Sequence, residues 1–456
     1  MNRVLVAAPH SGSGKTTFCM GLMAALVRRG LVVQPFKVGP DYIDTAYHTR
    51  ICGRPASNLD RWLTGRDMLR TLFTRHAGDA DLSVIEGVMG LYDGMGDSAE
   101  YSSAEVAREL RVPVLLVVDA GGMAASAAAL VKGFQAYDPE VPIGGVVFNR
   151  VGGDAHYQLL RRAVERDCGV QCFGFLPHGE EVEISSRHLG LLPETELADG
   201  EARLERLADL VEAHTDVGGI LRMAAGAPPM DRKSAPVFER IPCRLAVAMD
   251  KAFHFYYQDG LAVLEAMGAQ LIRFSPLKDA SLPACDGVYL GGGFPEVFAA
   301  ELEANGSMRR SIAEASTSGM PILGECGGYM YLTGAIADAA GKHFGMCGAL
   351  PGAALMGSRL SRRFGYVEVT LRMETPLGPE GTRYHAHEFH HSEMEAQQTV
   401  LEVRKAASGA TWTDGTLSRN TLGTYAHVHF AGEPHLAAHF LKACQTYGNT
   451  FGTGDG

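Results

Sequence analysis

Between Arg3 and Met223 the chain repeats one pattern, a short and nearly continuous apolar run followed by a longer amphipathic stretch. The runs read RVLVAA, LVVQPFKV, DLSVIEGV, VPVLLVVDA and IGGVVFNRV. A strand with one wet face alternates apolar and polar residues, whereas runs this unbroken belong to strands covered by helices on both faces. The pattern predicts an α/β fold on a parallel, doubly wound sheet. Residues 224–242, AAGAPPMDRKSAPVFERIP, carry four prolines and mixed charge and read as a linker. Strand and helix alternation then restarts with RLAVAMD, QLIRFSP, GVYLGGG and MPILGEC. Two domains are therefore expected, over 1–223 and 243–456, and a length of 456 residues exceeds what one hydrophobic core accommodates.

Composition narrows the function classes. Hydrophobic residues at 46% and charged residues at 20% exclude a disordered or fibrous chain. A formal net charge of -11 leaves no broad cationic surface for nucleic acid or acidic lipid, so anionic ligands must be held by local groups. Nine cysteines without even spacing, with Cys168 and Cys172 the one close pair, read as reduced thiols and place the chain in the cytoplasm. MNRVLVAAP reads as a strand rather than an export leader. The most apolar window, Val112 to Val131, contains Asp119, Gly121 and Gly122, which predicts a buried strand and a small-residue helix rather than a membrane span. The oligomeric state stays open, with a homodimer as one option.

Ser11-Gly12-Ser13-Gly14-Lys15-Thr16-Thr17 follows a strand and opens a helix. Backbone N–H groups at such a helix start converge on phosphates, the lysine adds a point charge, and Thr16 is placed to ligate Mg²⁺. Pro9 stands where the usual first glycine would be, so the motif is a variant. Ligands of open parallel sheets bind at the carboxyl ends of strands. There VIEGVMGLYDG presents Glu86 and Asp93, either of which can hold Mg²⁺, and FKVGPDYIDTAYH presents Lys37, Asp41, Tyr42, Asp44 and His48 as a substrate loop. Asn149, ending VVFNRV, can pair with an adenine edge.

MPILGECGGYMYL sets Cys326 on a glycine-flanked turn between a buried strand and a helix. That is the geometry of a nucleophile elbow, in which the helix N-terminus lowers the thiol pKa and the Gly327 N–H stabilises an oxyanion. YLGGGFPE offers further donors at Gly291, Gly292 and Gly293. A thiol nucleophile needs a base, and TYAHVHF supplies His427 and His429, two apart on an expected strand and hence on one face. YHAHEFHHSE, with His385, His387, His390 and His391, reads as a polar strand near the thiol rather than a metal site.

With these motifs in place, the chain resembles a known family along its whole length. Its first half is similar to the dethiobiotin-synthetase-like ATP-binding fold, and its second half to class I glutamine amidotransferase (flavodoxin-like) domains. SGSGKTT, FKVGPDYID, VIEGVMGLYDG, GGVVFNRV, AFHFYY, FSPLKD, YLGGGFPE, GECGGYMYL, HEFHHSE and TYAHVHF, in this order, resemble the cobyrinate/hydrogenobyrinate/nickel-sirohydrochlorin a,c-diamide synthase family. The resemblance implies ATP- and glutamine-dependent amidation of the a and c carboxylates of cobyrinic acid, a tetrapyrrole polycarboxylate of cobalamin biosynthesis, with Mg²⁺, through an acyl phosphate and ammonia released at Cys326. It implies that Gly14, Lys15 and Thr16 hold phosphate, that Glu86 handles metal or phosphate, and that Asp41, Tyr42, Asp44 and Asp93 serve the substrate and catalytic loops. Class I glutaminases carry His-x-Glu, and that register aligns His427 with the histidine and His429 with the glutamate, so which imidazole is the base stays open. The same reaction on hydrogenobyrinic acid or nickel sirohydrochlorin, a cobyric acid synthase activity, or a P-loop binding protein with an inert amidotransferase domain are the alternatives.

Overall fold

A computed structural model describes residues 1–179, 194–357, 363–395 and 400–451. They fall into two compact units, Met1–Ala235 and Pro236–Gly456.

The first unit is a seven-stranded sheet with every pairing parallel. Its strands are β1 (Arg3–Ala7), β2 (Val33–Val38), β3 (Ser57–Leu59), β4 (Leu82–Glu86), β5 (Val114–Asp119), β6 (Ile143–Val151) and β7 (Gln171–Pro177). They lie in the order β3-β2-β4-β1-β5-β6-β7. The unbroken apolar runs have a direct cause in β1. Leu5 and Ala7 join one core with Leu116, Val118 and Phe148, while Val4 and Val6 join the other with Phe18, Leu22 and Val117. Successive side chains point to opposite faces, and both faces are covered. Helix α1 (Lys15–Arg28) follows β1, and α2 (Ile43–Cys52) follows β2.

The proline-rich tract is fastened to this unit over its first part. A helix spans Val217–Ala225, and beyond it the guanidinium of the fully buried Arg3 donates to Pro228 O at 2.6 Å. Arg111 donates to Pro229 O at 3.0 Å, and Arg232 donates to Gly78 O at 2.5 Å. Residues up to Ala235 thus pack with the first unit.

The second unit is built on parallel strands at Cys243–Ala248, Ala269–Phe274, Gly287–Leu290, Ile322–Glu325 and Thr421–Thr424. Numbered by chain order they run 2-1-3-4-5, the flavodoxin-like arrangement, with Thr416–Ser418 added antiparallel at the edge. Two further sheets of four and five strands lie between Leu332 and the end of this unit. In the five-stranded one, Phe364–Leu371 pairs with the histidine-rich Arg383–Phe389, which pairs in turn with His427–Val428. The chain leaves the parallel sheet at Thr424 and enters the antiparallel one at His427. This crossing brings the two sheets together around Cys326.

Candidate active sites

In the first unit the phosphate loop is braced by Asn149 near the end of β6. Its Nδ2 donates to Ser13 O at 3.0 Å, and Ser13 Oγ donates to His10 O at 2.8 Å. Gly14 has φ of 91°, and a Cβ there would lie 2.0 Å from Asn149 Nδ2, so no other residue fits. Asn149 Oδ1 is buried with no protein partner. Ser11 and Gly12 are exposed at the loop's tip, while Thr16 and Thr17 are half-buried at the start of α1. Gly90 runs close to the loop, for a Cβ there would lie 2.5 Å from Pro9 O. Lys15 is largely buried and donates to Met89 O at 3.2 Å, and burial pushes its pKa down.

Beside the loop, at the carboxyl ends of β2 and β4, four elements contribute to one charged cluster. Glu86 Oε1 accepts from Thr16 Oγ1 at 2.5 Å and from Lys37 Nζ at 2.9 Å. Its Oε2 lies 2.9 Å from His48 Nε2. Lys37 Nζ also donates to Asp44 at 2.5 Å and stands 3.8 Å from Asp41. Burial alone would push the Glu86 carboxyl up, but Lys37 and His48 outweigh it and hold it well below the usual range. Burial likewise opposes charge on Lys37, and Glu86, Asp44 and Asp41 overcome that and raise its pKa. Burial and Glu86 push Asp44 up to about 6.

The remaining residues expected here take distinct places. Asp41 Oδ1 accepts from the N–H groups of Ile43 and Asp44, both at 2.9 Å, and so caps α2. Tyr42 sits half-buried at the start of that helix. Asp93 is exposed, and its Oδ2 accepts from Gly90 N at 2.8 Å within its own loop. His48, expected in the substrate loop, is buried against Glu86, a pairing that exists only once α2 packs on β2 beside the end of β4.

In the second unit Cys326 stands at φ 48° and ψ −103°, a strained backbone for a residue with a side chain, between Ile322–Glu325 and the helix Gly327–Leu332. Strain of this kind costs on the order of 1–3 kcal/mol and persists where the surroundings enforce it. They do so here through Cys326 N to Thr424 O at 2.8 Å and Gly328 N to Gly291 O at 3.0 Å. The Gly327 backbone faces the glycine strand, for a Cβ on it would lie 3.0 Å from Gly293 N. That strand is held by the AFHFYY segment. Phe253–Phe255 pairs with Gly292–Gly293, and Tyr256 OH accepts from Gly291 N at 2.8 Å while donating to Ala248 O at 2.5 Å. Asp250 ties the same segment to FSPLKD through Ser275 Oγ at 2.8 Å.

Two expectations change here. Burial, with Glu296 and Glu325 nearby, pushes the Cys326 thiol up, and the N–H of Gly327 lowers it by less. Desolvation outweighs the helix end, which has only six residues behind it. The two histidines also part company. His427 lies on the strand, its Nδ1 3.6 Å from Glu325 Oε2 and its Cε1 2.7 Å from where a Gly292 Cβ would be. His429 lies beyond the strand end, stacked on Tyr257 at 4.4 Å, and burial lowers its pKa to about 4. On the paired strand His387 sits opposite His427, and just past its end His390 stacks on Tyr425 at 3.7 Å.

Residues 4–192 match the CobQ/CobB/MinD/ParA nucleotide binding domain, and residues 244–435 match the CobB/CobQ-like glutamine amidotransferase domain. A cobyrinate a,c-diamide synthase of Listeria innocua is 45% identical over 97% of this chain and 99% of its own. The chain belongs to the cobyrinate a,c-diamide synthase family. Members from Caldanaerobacter subterraneus subsp. tengcongensis and Methanosarcina acetivorans are each 43% identical, covering 97% of this chain and 98% and 95% of theirs. Membership in the cobyrinate a,c-diamide synthase family makes this chain a glutamine amidotransferase-type ligase with a P-loop nucleotide-binding domain. Among solved structures, chloroplast FtsY from Physcomitrella patens aligns at TM-score 0.31 and 12% identity over 49% of this chain and 64% of its own, a likeness too distant to bear on function. Among the described residues no helix is long and apolar enough to cross a membrane.

Proposed function

We propose that this chain converts the a and c carboxylates of cobyrinic acid to amides in cobalamin biosynthesis, using ATP and glutamine. The observation that carries the reading is the strained backbone of Cys326, φ 48°, on a strand-to-helix turn against the glycine strand. A buried structural thiol has no need of such a conformation, whereas a nucleophile does. Since burial keeps the thiol protonated at rest, a base must take its proton as it attacks. His427, beside Gly292 and Glu325, is the imidazole suited to that task, and His429 under Tyr257 is a packing residue. The sulfur attacks the glutamine carboxamide, N–H groups of Gly327 and Gly293 receive the oxyanion, and ammonia leaves a glutamyl thioester that water hydrolyses.

In the first unit the loop Ser11–Thr17 and Lys15 hold the triphosphate, and the orphaned Asn149 Oδ1 accepts from the adenine amino group. The γ-phosphoryl group passes to a substrate carboxylate, which makes its oxygen a good leaving group, and ammonia displaces phosphate. Thr16 and Glu86, in contact at 2.5 Å, form an oxygen donor pair of the kind Mg²⁺ takes beside nucleotide phosphates, where it would neutralise developing charge. Asp41, Tyr42, Asp44 and Asp93 line the substrate side, and Lys37 sets the charge of Glu86 and Asp44. The nine free cysteines fit a cytoplasmic location. The test is Cys326→Ala. It should abolish glutamine-driven amidation and retain amidation with ammonia; loss of both would make the thiol structural and end this reading.

A further inference from the structure

Class I glutaminases orient their histidine with a glutamate two residues downstream, and here that position is His429. The chain would lack a group to hold its base. Resting on the glutaminase reading above, we propose that Glu325, the residue just before the nucleophile, is the positioning carboxylate for His427, giving a Cys326–His427–Glu325 site assembled in a different chain order.

Glu325 Oε2 lies 3.6 Å from His427 Nδ1, with both side chains 2% exposed. The carboxylate is itself fixed. Its Oε1 accepts from Val428 N at 3.0 Å, directly beside His427, and its Oε2 accepts from Tyr289 OH at 2.9 Å. Ile322–Glu325 pairs in register with Thr421–Thr424, so the strand carrying the thiol and the segment carrying the imidazole are locked together. At 3.6 Å the carboxylate acts on the imidazole as a nearby fixed charge rather than through a hydrogen bond, which favours the proton on Nδ1 and leaves Nε2 as the acceptor for the thiol proton. The other groups facing His427 do not offer this. His387 lies opposite it on the paired strand and is neutral, its pKa lowered by burial to about 3. Gly292 has no side chain. Glu296 and Glu388 act on the thiol, and burial pushes them up to about 7 and about 8.

The test measures glutamine hydrolysis, glutamine-driven amidation and ammonia-driven amidation for Glu325→Gln in the full chain. The expected result is a fall in kcat for glutamine on the order of a hundredfold, with KM for glutamine little changed and ammonia-driven amidation intact. Tyr289→Phe, which frees one carboxylate oxygen, should give a smaller loss of the same kind. If Cys326→Ala abolishes glutamine use while Glu325→Gln retains wild-type kcat, the positioning role is overturned and the glutaminase reading stands. If Glu325→Gln loses ammonia-driven amidation as well, or raises KM without lowering kcat, Glu325 is structural and the inference fails. Should the variant not fold, Glu325→Asp keeps the charge one methylene further away and must still lower kcat relative to wild type.

Discussion

Nζ of Lys37 lies 2.9 Å from Oε1 of Glu86, and the two residues are register partners on adjacent parallel strands. Both are sealed from solvent, at 4% and 0% exposure. A desolvated pair of this kind adds little net stability against an apolar pair, but stripping away one partner leaves a buried charge behind.

Lys37→Met should therefore lower the stability of the first unit by about 3 kcal/mol, read as a fall in its denaturant midpoint. Lys37→Met with Glu86→Gln should recover part of that loss, because one of the two orphaned carboxylates is gone while Asp44 remains. The sign of the pH effect follows. Glu86, held low when folded, stabilises above its unfolded pKa of about 4.3 and loses this as pH falls through its folded value. Lys37, held high, stabilises below about 10.4 and loses this as pH rises through its folded value. A single variant as stable as wild type at neutral pH would contradict the coupling.

Cys326 predicts a reversal of a usual order. Glycine in place of alanine normally costs on the order of 1 kcal/mol. At φ 48° the strain of a Cβ is relieved by glycine, so Cys326→Gly should be at least as stable as Cys326→Ala, with both inactive towards glutamine. A thermal midpoint for Cys326→Gly several degrees below that of Cys326→Ala would mean that the turn is not strained.

Glu388 predicts how the second unit responds to pH. Burial pushes its carboxyl up to about 8, so the folded state binds a proton that the unfolded state gives up near 4.3. Stability is then lost as pH rises between those values. Glu388→Gln should raise the thermal midpoint at about pH 8 and have little effect at about pH 4. His387, His390 and His429, with pKa values lowered by burial, act in the opposite direction below about 6.5 and are common to both proteins. An equal midpoint difference at both pH values would contradict the assignment.

The sheet of the first unit was legible because Val4 to Ala7 and its companions are apolar on both faces, a local property. The elbow was legible because glycines crowd Cys326 in sequence. The antiparallel sheets were not, since strands such as Phe364–Leu371 alternate buried and half-exposed residues over short stretches and gain definition from distant partners. The thiol pKa was misjudged for a related reason, because a helix end is visible in sequence while desolvation depends on the fold. Glu325 was hidden in plain view. Beside a cysteine it reads as a strand end, and only the pairing of Ile322–Glu325 with Thr421–Thr424 brings it to His427. The fate of Lys37 was hidden likewise, since its pairing with Glu86 is written in sheet register rather than in the loop that follows it.

Activation of a substrate carboxylate by phosphorylation leaves its record in the carboxylate oxygen. With heavy-oxygen-labelled cobyrinic acid, ATP and ammonia, each amide formed should deliver one labelled oxygen to inorganic phosphate. Amide formation with unlabelled phosphate, or with no ATP consumed, would contradict it.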